Sequence, residues 1–389
     1  MFKIKTLNSI SEVIHKHLSA NQFIISNEEP VPDGILVRSA SMHDMALEEN
    51  LLAIARAGAG VNNIPIEECT KRGIVVFNTP GANANAVAEL VICGLMLGSR
   101  NVGGGIQWAQ QLKGQGEKVP ALVEKGKAQF SGPEVRGKTL GVIGLGAIGV
   151  MVANASSDGL GMNVIGYDPY ISVEHAWSLN RNIKYCETIE EIFENADYIT
   201  LHLPLISETR AIINEKAINK MKKGVHILNF SRAELVDLKA MASALENDYI
   251  ASYVTDFPNE EVLAMKNTIA IPHLGASTPE SEENCAQMAS SQLNDYLITG
   301  QIKNSVNFPE ILLGKNEGNR IIVIHENEPG MVSAISSIIG ARKININNMQ
   351  NKNRNNIAIT ILEIEQVPQE RLLTELLALP GVIRVRSLG

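Results

Sequence analysis

The sequence predicts an α/β protein made of parallel sheets and closed by a small mixed domain, and three observations carry that expectation. Short apolar runs alternate with helical ones through residues 1–97 and 138–275, the pattern of strands feeding crossover helices. Residues 138–168, KTLGVIGLGAIGVMVANASSDGLGMNVIGYD, run strand, G-x-G-x-x-G turn, helix, strand, the plan of a Rossmann-type doubly wound dinucleotide-binding domain. Residues 319–389 then change to a β-α-β-β-α-β order.

Taken in order, residues 23–26, 34–37, 54–56 and 74–77 read as strands, with helical segments at 42–50 and 66–72. Glycines cluster where strands end, in RAGAG at 56–60 and TPGAN at 79–83. Ligands of open α/β sheets bind beyond the carboxyl ends of strands, so these turns are expected site walls. Residues 85–109 read as a long helical region interrupted by Gly94 and Gly103 to Gly105, and 114–132 as a polar irregular loop set against a partner subunit. After the nucleotide unit, strands at 198–201, 225–229, 251–255 and 268–271 complete a six-strand set. STPE at 277–280 reads as a capping box with proline in the first turn, opening a helix that stops at Gly300. That helix is expected to return the chain to the first domain. The division is therefore 1–97 with 275–307 as one discontinuous domain, 98–274 as the nucleotide domain, 308–318 as a linker and 319–389 as a terminal domain.

Composition narrows the function classes. With 45% hydrophobic and 20% charged residues the chain is ordinary globular protein, and 389 residues are enough for two or three domains. The balance of 34 basic against 42 acidic residues, net −8, gives no electrostatic footprint for nucleic acid or an anionic membrane. No apolar run reaches the ~18 residues of a membrane helix. Cys69, Cys93, Cys186 and Cys285 are scattered, as in a reducing compartment, and a cytoplasmic location is expected. Histidines and cysteines never cluster at ligand spacing, so no metal is expected.

The chemistry begins at the glycines. Gly144 permits the tight turn, Gly146 lets a pyrophosphate approach the backbone, and Gly149 lets helix pack on strand. Asp168 closes the second strand, where an acid accepts the ribose hydroxyls and would repel a 2′-phosphate, which selects NAD over NADP. Oxidising an alcohol further requires a cation for the substrate, a base for the hydroxyl proton and a neighbour that tunes the base. Arg232 follows the strand VHILN, and its planar fork suits a carboxylate. His273 follows NTIAI and titrates near neutral pH. Glu261 in DFPNEEV is the expected partner of the imidazole, with Glu260 as its rival.

These stretches together resemble the D-isomer-specific 2-hydroxyacid dehydrogenases over nearly the whole length. RAGAGVNNIPIEECTKRGIVVFNTPGANANAVAEL, GLGAIG, YDP, LHLPL, NFSRAELVD, VTDFPNEE and PHLGAST stand in that family's order. The resemblance implies Arg232, Glu261 and His273 as the catalytic set, and the spacing through Asp256 favours Glu261 over Glu260. It also implies that Asp256 holds the nicotinamide carboxamide, with further cofactor contacts at Ala147, Ile148, Leu203, Phe230 and Ser231. Arg38 and Ser39 in GILVRSA match the family's substrate loop, where an arginine suits a phosphate. The first domain is then expected to be flavodoxin-like. Residues 319–389 resemble an ACT domain, a regulatory module that binds amino acids, and His325, Asn327 and Asn345 match positions that hold L-serine in inhibited relatives.

The activity so implied is NAD-dependent oxidation of 3-phospho-D-glycerate, the first step of L-serine synthesis, by a homodimer or homotetramer with L-serine as its effector. The rivals are a reductase of hydroxypyruvate or glyoxylate and a non-catalytic NAD(H) sensor of the same fold. Two departures stand out. Ala233-Glu234 replaces the family's glycine pair after the arginine, and the loop from Glu261 to His273 is short.

Overall fold

In the computed structural model, which describes residues 1–314 and 318–389, the α/β class expected from the sequence is present as three sheets. The chain divides into two compact units, Met1–Asn83 with Pro279–Gly389, and Ala84–Thr278. The expected boundary at 97/98 falls inside the helix Ala84–Ser99, which goes with the second unit.

The first unit holds a parallel sheet of β1 (Phe2–Leu7), β2 (Phe23–Ser26), β3 (Gly34–Val37), β4 (Ala53–Arg56) and β5 (Val75–Phe77), in the order β2-β1-β3-β4-β5. β3 is buried along its whole length, as a strand covered on both faces must be. Sequence reading had no strand at 2–7. There FKIKTL alternates lysine with apolar residues, and only Ile4 is fully buried, between β2 and β3. The helix expected at 42–50 is instead a series of turns from which Met42 and Leu47 still enter the core.

The second unit holds β6 (Thr139–Ile143), β7 (Asn163–Tyr167), β8 (Lys184–Tyr185), β9 (Tyr198–Leu201), β10 (Val225–Asn229), β11 (Ile250–Thr255) and β12 (Thr268–Ala270). All pair in parallel, in the order β12-β11-β10-β9-β6-β7-β8. The short β8 is a seventh strand beyond the six expected. The chain runs outward from β6 to β8, then resumes on the other side of β6 at β9, so strand order reverses there and opens a ligand crevice. The helical region at 85–109 breaks at Arg100-Asn101 rather than at its glycines, and its two helices bend by 69°. The loop expected at 114–132 contains the helix Val119–Gly126, with proline in its first turn.

The third sheet, β13 (Asn319–Glu326), β14 (Ile346–Arg354), β15 (Ile357–Ile364) and β16 (Val382–Leu388), is antiparallel in the order β14-β15-β13-β16. Helices Met331–Ala341 and Glu370–Leu377 cover one face. Ile322, Ile324, Ile359 and Ile361 on the other share a core with Tyr296 and Leu297 of the long helix Pro279–Thr299. Arg386 sits over the Tyr296 ring at 4.8 Å and donates to the carbonyls of Tyr296 and Leu297, at 2.8 and 2.6 Å. The expected linker 308–318 is partly packed, with Phe308 and Ile311 buried, and its residues 315–317 lie outside the described residues. Among the described residues no single helix is long and apolar enough to cross a membrane.

Candidate active site

Most sequence-predicted cofactor and catalytic residues of the second unit lie at or just past the carboxyl end of a parallel strand, while Ala147, Ile148 and Gly149 open the helix after β6 and Glu261 lies on the helix Glu260–Ala264. Gly144 follows β6, Asp168 β7, Leu203 β9, Arg232 β10, Asp256 β11 and His273 β12. Strands that run the same way deliver their ends to one edge of the sheet, and so the topology alone collects these side chains.

Gly144 has φ +94°, and a Cβ there would stand 2.3 Å from the His202 carbonyl oxygen. At Gly149 a Cβ would stand 2.0 Å from the Gly144 carbonyl oxygen, so helix and turn touch backbone to backbone. Gly146 differs: a Cβ there meets open space. It is the N-cap of the helix Ala147–Asn154, and among the described residues no side chain caps that helix. The first-turn N–H groups of Ala147 and Ile148 are left for an anion. Asp168 accepts the Leu145 N–H through Oδ2 and the Tyr170 N–H through Oδ1, both at 2.9 Å. Ser231 Oγ donates to the Leu201 carbonyl at 2.7 Å, and Phe230 is buried against Gly94.

At the other end of the crevice Asp256 is 2% exposed. Burial pushes its carboxyl upward, against the opposing pull of His273, the Gly275 N–H that it accepts, and Arg232. Its Oδ1 is buried and has no partner among the described residues. A buried acceptor without a donor is costly to the fold and fits a ligand N–H such as a carboxamide's. Together with the uncapped helix start, this donor and acceptor set fits NAD from pyrophosphate to nicotinamide.

His273 is exposed, and its ring stands edge-on to Phe257 at 5.1 Å and 88°. Arg232 is exposed and extended (φ −147°), and donates to its neighbour Ser231's carbonyl at 2.6 Å. Asn229 Nδ2 donates to the Arg232 carbonyl at 2.8 Å and fixes the turn. Ala233 and Glu234 lie in a short 3-10 turn without positive φ, so the two missing glycines leave no backbone strain here. Among the described residues neither Glu260 nor Glu261 bonds to His273, and both are exposed on the helix Glu260–Ala264. His273 lies near enough to Asp256 for its charge to pull that carboxyl down, a proximity the sequence did not reveal. Phe257 was also missed, because an aromatic next to an acid carries no distinctive signal.

In the first unit Arg38 pairs with Glu282. The Ser39 N–H donates to Asn8 Oδ1 at 3.0 Å. In the terminal domain the structure corrects the expectation for His325. It is 1% exposed on β13, with Nδ1 donating to the Glu326 carbonyl at 2.7 Å and Nε2 2.9 Å from the Thr360 hydroxyl. Both ring nitrogens serve the fold, and none is left for an effector. Asn327 and Asn345 are exposed.

With this geometry in view, residues 98–275 match the model of the D-isomer specific 2-hydroxyacid dehydrogenase, NAD binding domain. A D-3-phosphoglycerate dehydrogenase of Dictyostelium discoideum is 32% identical over 87% of this chain and 82% of its own. The chain belongs to the D-isomer specific 2-hydroxyacid dehydrogenases. Another relative of that name, from Escherichia coli K12, has the same 32% identity over 87% of this chain and 82% of its own. The crystal structure of cofactor (NAD+) bound 3-phosphoglycerate dehydrogenase in Entamoeba histolytica superposes with TM-score 0.61 at 31% identity, over 79% of this chain and 98% of that one. As a 2-hydroxyacid dehydrogenase the chain is an NAD-dependent oxidoreductase, and the glycine turn, Asp168 and Asp256 lie within its NAD-binding domain.

Proposed function

We propose that the protein oxidises 3-phospho-D-glycerate to 3-phosphohydroxypyruvate with NAD, the first step of L-serine biosynthesis. The observation that carries this reading is the buried Asp256 carboxylate, with its free Oδ1, among Arg232, His273 and the Gly275 N–H. It joins a cofactor contact to a cation and a base in one place. Names borne by relatives 32% identical over 87% of the chain support the substrate.

Bound NAD supplies the hydride acceptor. Arg232 has no ion-pair partner among the described residues and takes the substrate carboxylate and the C2 oxygen in its fork. An imidazole nitrogen of His273 takes the hydroxyl proton while the C2–H bond gives up its electron pair as hydride and the C2 carbonyl forms. The ring of Phe257 holds the imidazole edge-on. Asp256 receives the carboxamide N–H at Oδ1. Glu261 is assigned on its spacing in the family pattern as the carboxylate that approaches the imidazolium during turnover. Arg38 and the Ser39 side chain take the phosphate, the Ser39 N–H being held by Asn8. The same reading extends to a homo-oligomer and to L-serine as an effector held by Asn327 and Asn345, which titration of L-serine against initial rate tests.

The deciding measurement follows NADH formation with 3-phospho-D-glycerate beside D-glycerate, and NADH consumption with hydroxypyruvate and glyoxylate. Higher kcat/KM for the phosphorylated pair is expected. Preference for an unphosphorylated acid replaces the substrate, and NADH binding without turnover of any of them would make the protein a sensor.

A further inference from the structure

A cavity of about 560 Å³ opens wholly within the first unit, along the helix Pro279–Thr299 and against residues 81–82 and 301–304. None of the residues assigned above to cofactor, substrate or chemistry lines it. Two buried polar atoms of its wall have no partner among the described residues, Gln292 Oε1 and His17 Nε2. Gln292 is 6% exposed, and its Nε2 donates to the carbonyls of Asn78 and Met288, at 3.0 and 3.2 Å. A carbonyl only accepts, so these two bonds fix the amide and leave Oε1 as the acceptor that requires a donor from outside. The wall also carries one charge of each sign, Lys303 and Asp295, both exposed and neither in an ion pair among the described residues. A phosphate or dicarboxylate would meet Asp295 and a simple cation would meet Lys303, whereas a zwitterion satisfies both. Asn284 and Gln301 add two more amides to the lining, and amides complement an amide, which donates and accepts at once.

We infer that this cavity binds a free α-amino acid with a carboxamide side chain. The α-carboxylate lies at Lys303, the α-ammonium at Asp295, and the side-chain N–H at Gln292 Oε1. The site is independent of the reaction proposed above, because it shares no residue with it.

Isothermal titration of the full chain with L-glutamine tests it, with L-serine titrated alongside. Saturable binding of L-glutamine is expected at one site per chain. Lys303→Gln and Asp295→Asn, both at exposed positions, are each expected to weaken it by about tenfold or more with Tm unchanged. A flat isotherm at millimolar L-glutamine overturns the inference, and the cavity then holds water only. Binding that both variants leave intact also overturns it. So does displacement of bound L-glutamine by L-serine at equal affinity, because the cavity's amides would then contribute nothing.

Discussion

The Asp168 carboxylate accepts the Leu145 backbone N–H at 2.9 Å, tying the acid that ends β7 to the glycine turn that ends β6. With the Tyr170 N–H on its other oxygen, the carboxylate is held in one orientation before any nucleotide arrives. Each oxygen keeps a lone pair for a ribose hydroxyl. Asp168→Ala is expected to remove those charged hydrogen bonds, about 1.5–3 kcal/mol, and lower kcat/KM for NAD by roughly ten- to a hundredfold. NADP should lose much less, since its 2′-phosphate no longer meets a carboxylate. Parallel kinetics with both cofactors check this, and an unchanged NAD:NADP ratio rules the role out.

Asp256→Asn changes one atom where it matters. The amide oxygen still accepts the Gly275 N–H, and the new NH₂ takes the place of the unpartnered Oδ1. Two donors then face each other where the carboxamide should bind. NAD affinity is expected to fall by tenfold or more, on the order of 1.5 kcal/mol. The ligand-free protein should change in the opposite sense. Burial raises the Asp256 pKa above its ordinary 3.8, so its contribution to stability is present below that pH and lost as pH rises through the folded value. At neutral pH the amide removes that penalty and Tm is expected to rise. Fluorescence titration of NADH with thermal unfolding measures both, and a loss of NADH affinity without the gain in Tm would show that Asp256 is not strained by burial.

What the sequence made legible follows from burial. β3, β9 and β10 have the expected bounds because their apolar runs are covered on both faces, and no amphipathic alternative competes. The glycine turn was legible for a different reason: backbone contacts at Gly144 and Gly149 tolerate no Cβ. β1 was hidden by its lysines. Residues 42–50 kept helical spacing but Met42 and Leu47 fill the core from turns, so tertiary packing outweighed periodicity. At the site, strand ends located Arg232, Asp256 and His273. That His273 bears on Asp256 depends on how β11 and the turn after β12 come together, which spacing does not encode. The burial of His325 escaped for the same reason, as Thr360 lies thirty-five positions away on β15.

The second unit should lose stability in acid through a histidine outside the site. His226 stacks on Tyr198 at 4.5 Å and 9°, with Nδ1 2.8 Å from the Ser252 hydroxyl. Burial pushes its imidazole down to about 4 from 6.5. The unfolded chain therefore takes up a proton in this window before the folded one does. Stability present above pH 6.5 is lost as pH falls toward 4, on the order of 3 kcal/mol from this group. His202, held down to about 3, adds to the same slope. His226→Gln is expected to flatten the fall in Tm between pH 7 and 4, and an identical pH profile in variant and parent would place the acid lability elsewhere.

The Arg38–Glu282 pair sets the last expectation. Both side chains are about two-fifths exposed, 40% and 42%, so their attraction is screened and contributes little to the fold, about 1 kcal/mol at most. A dianionic phosphate offers Arg38 more charge than one carboxylate and should displace Glu282 readily. Arg38→Ala is expected to raise KM for 3-phospho-D-glycerate by tenfold or more with KM for NAD nearly unchanged. Glu282→Gln removes the competitor and a like charge from the phosphate's surroundings, so KM for the phosphorylated acid should fall a few-fold, an effect that shrinks as salt is added. Unphosphorylated acids have nothing to gain from either side chain, and their KM should not move. If Arg38→Ala raised the KM of NAD and of phosphoglycerate alike, Arg38 would be supporting the fold of the first unit, and the phosphate contact would have to be sought elsewhere.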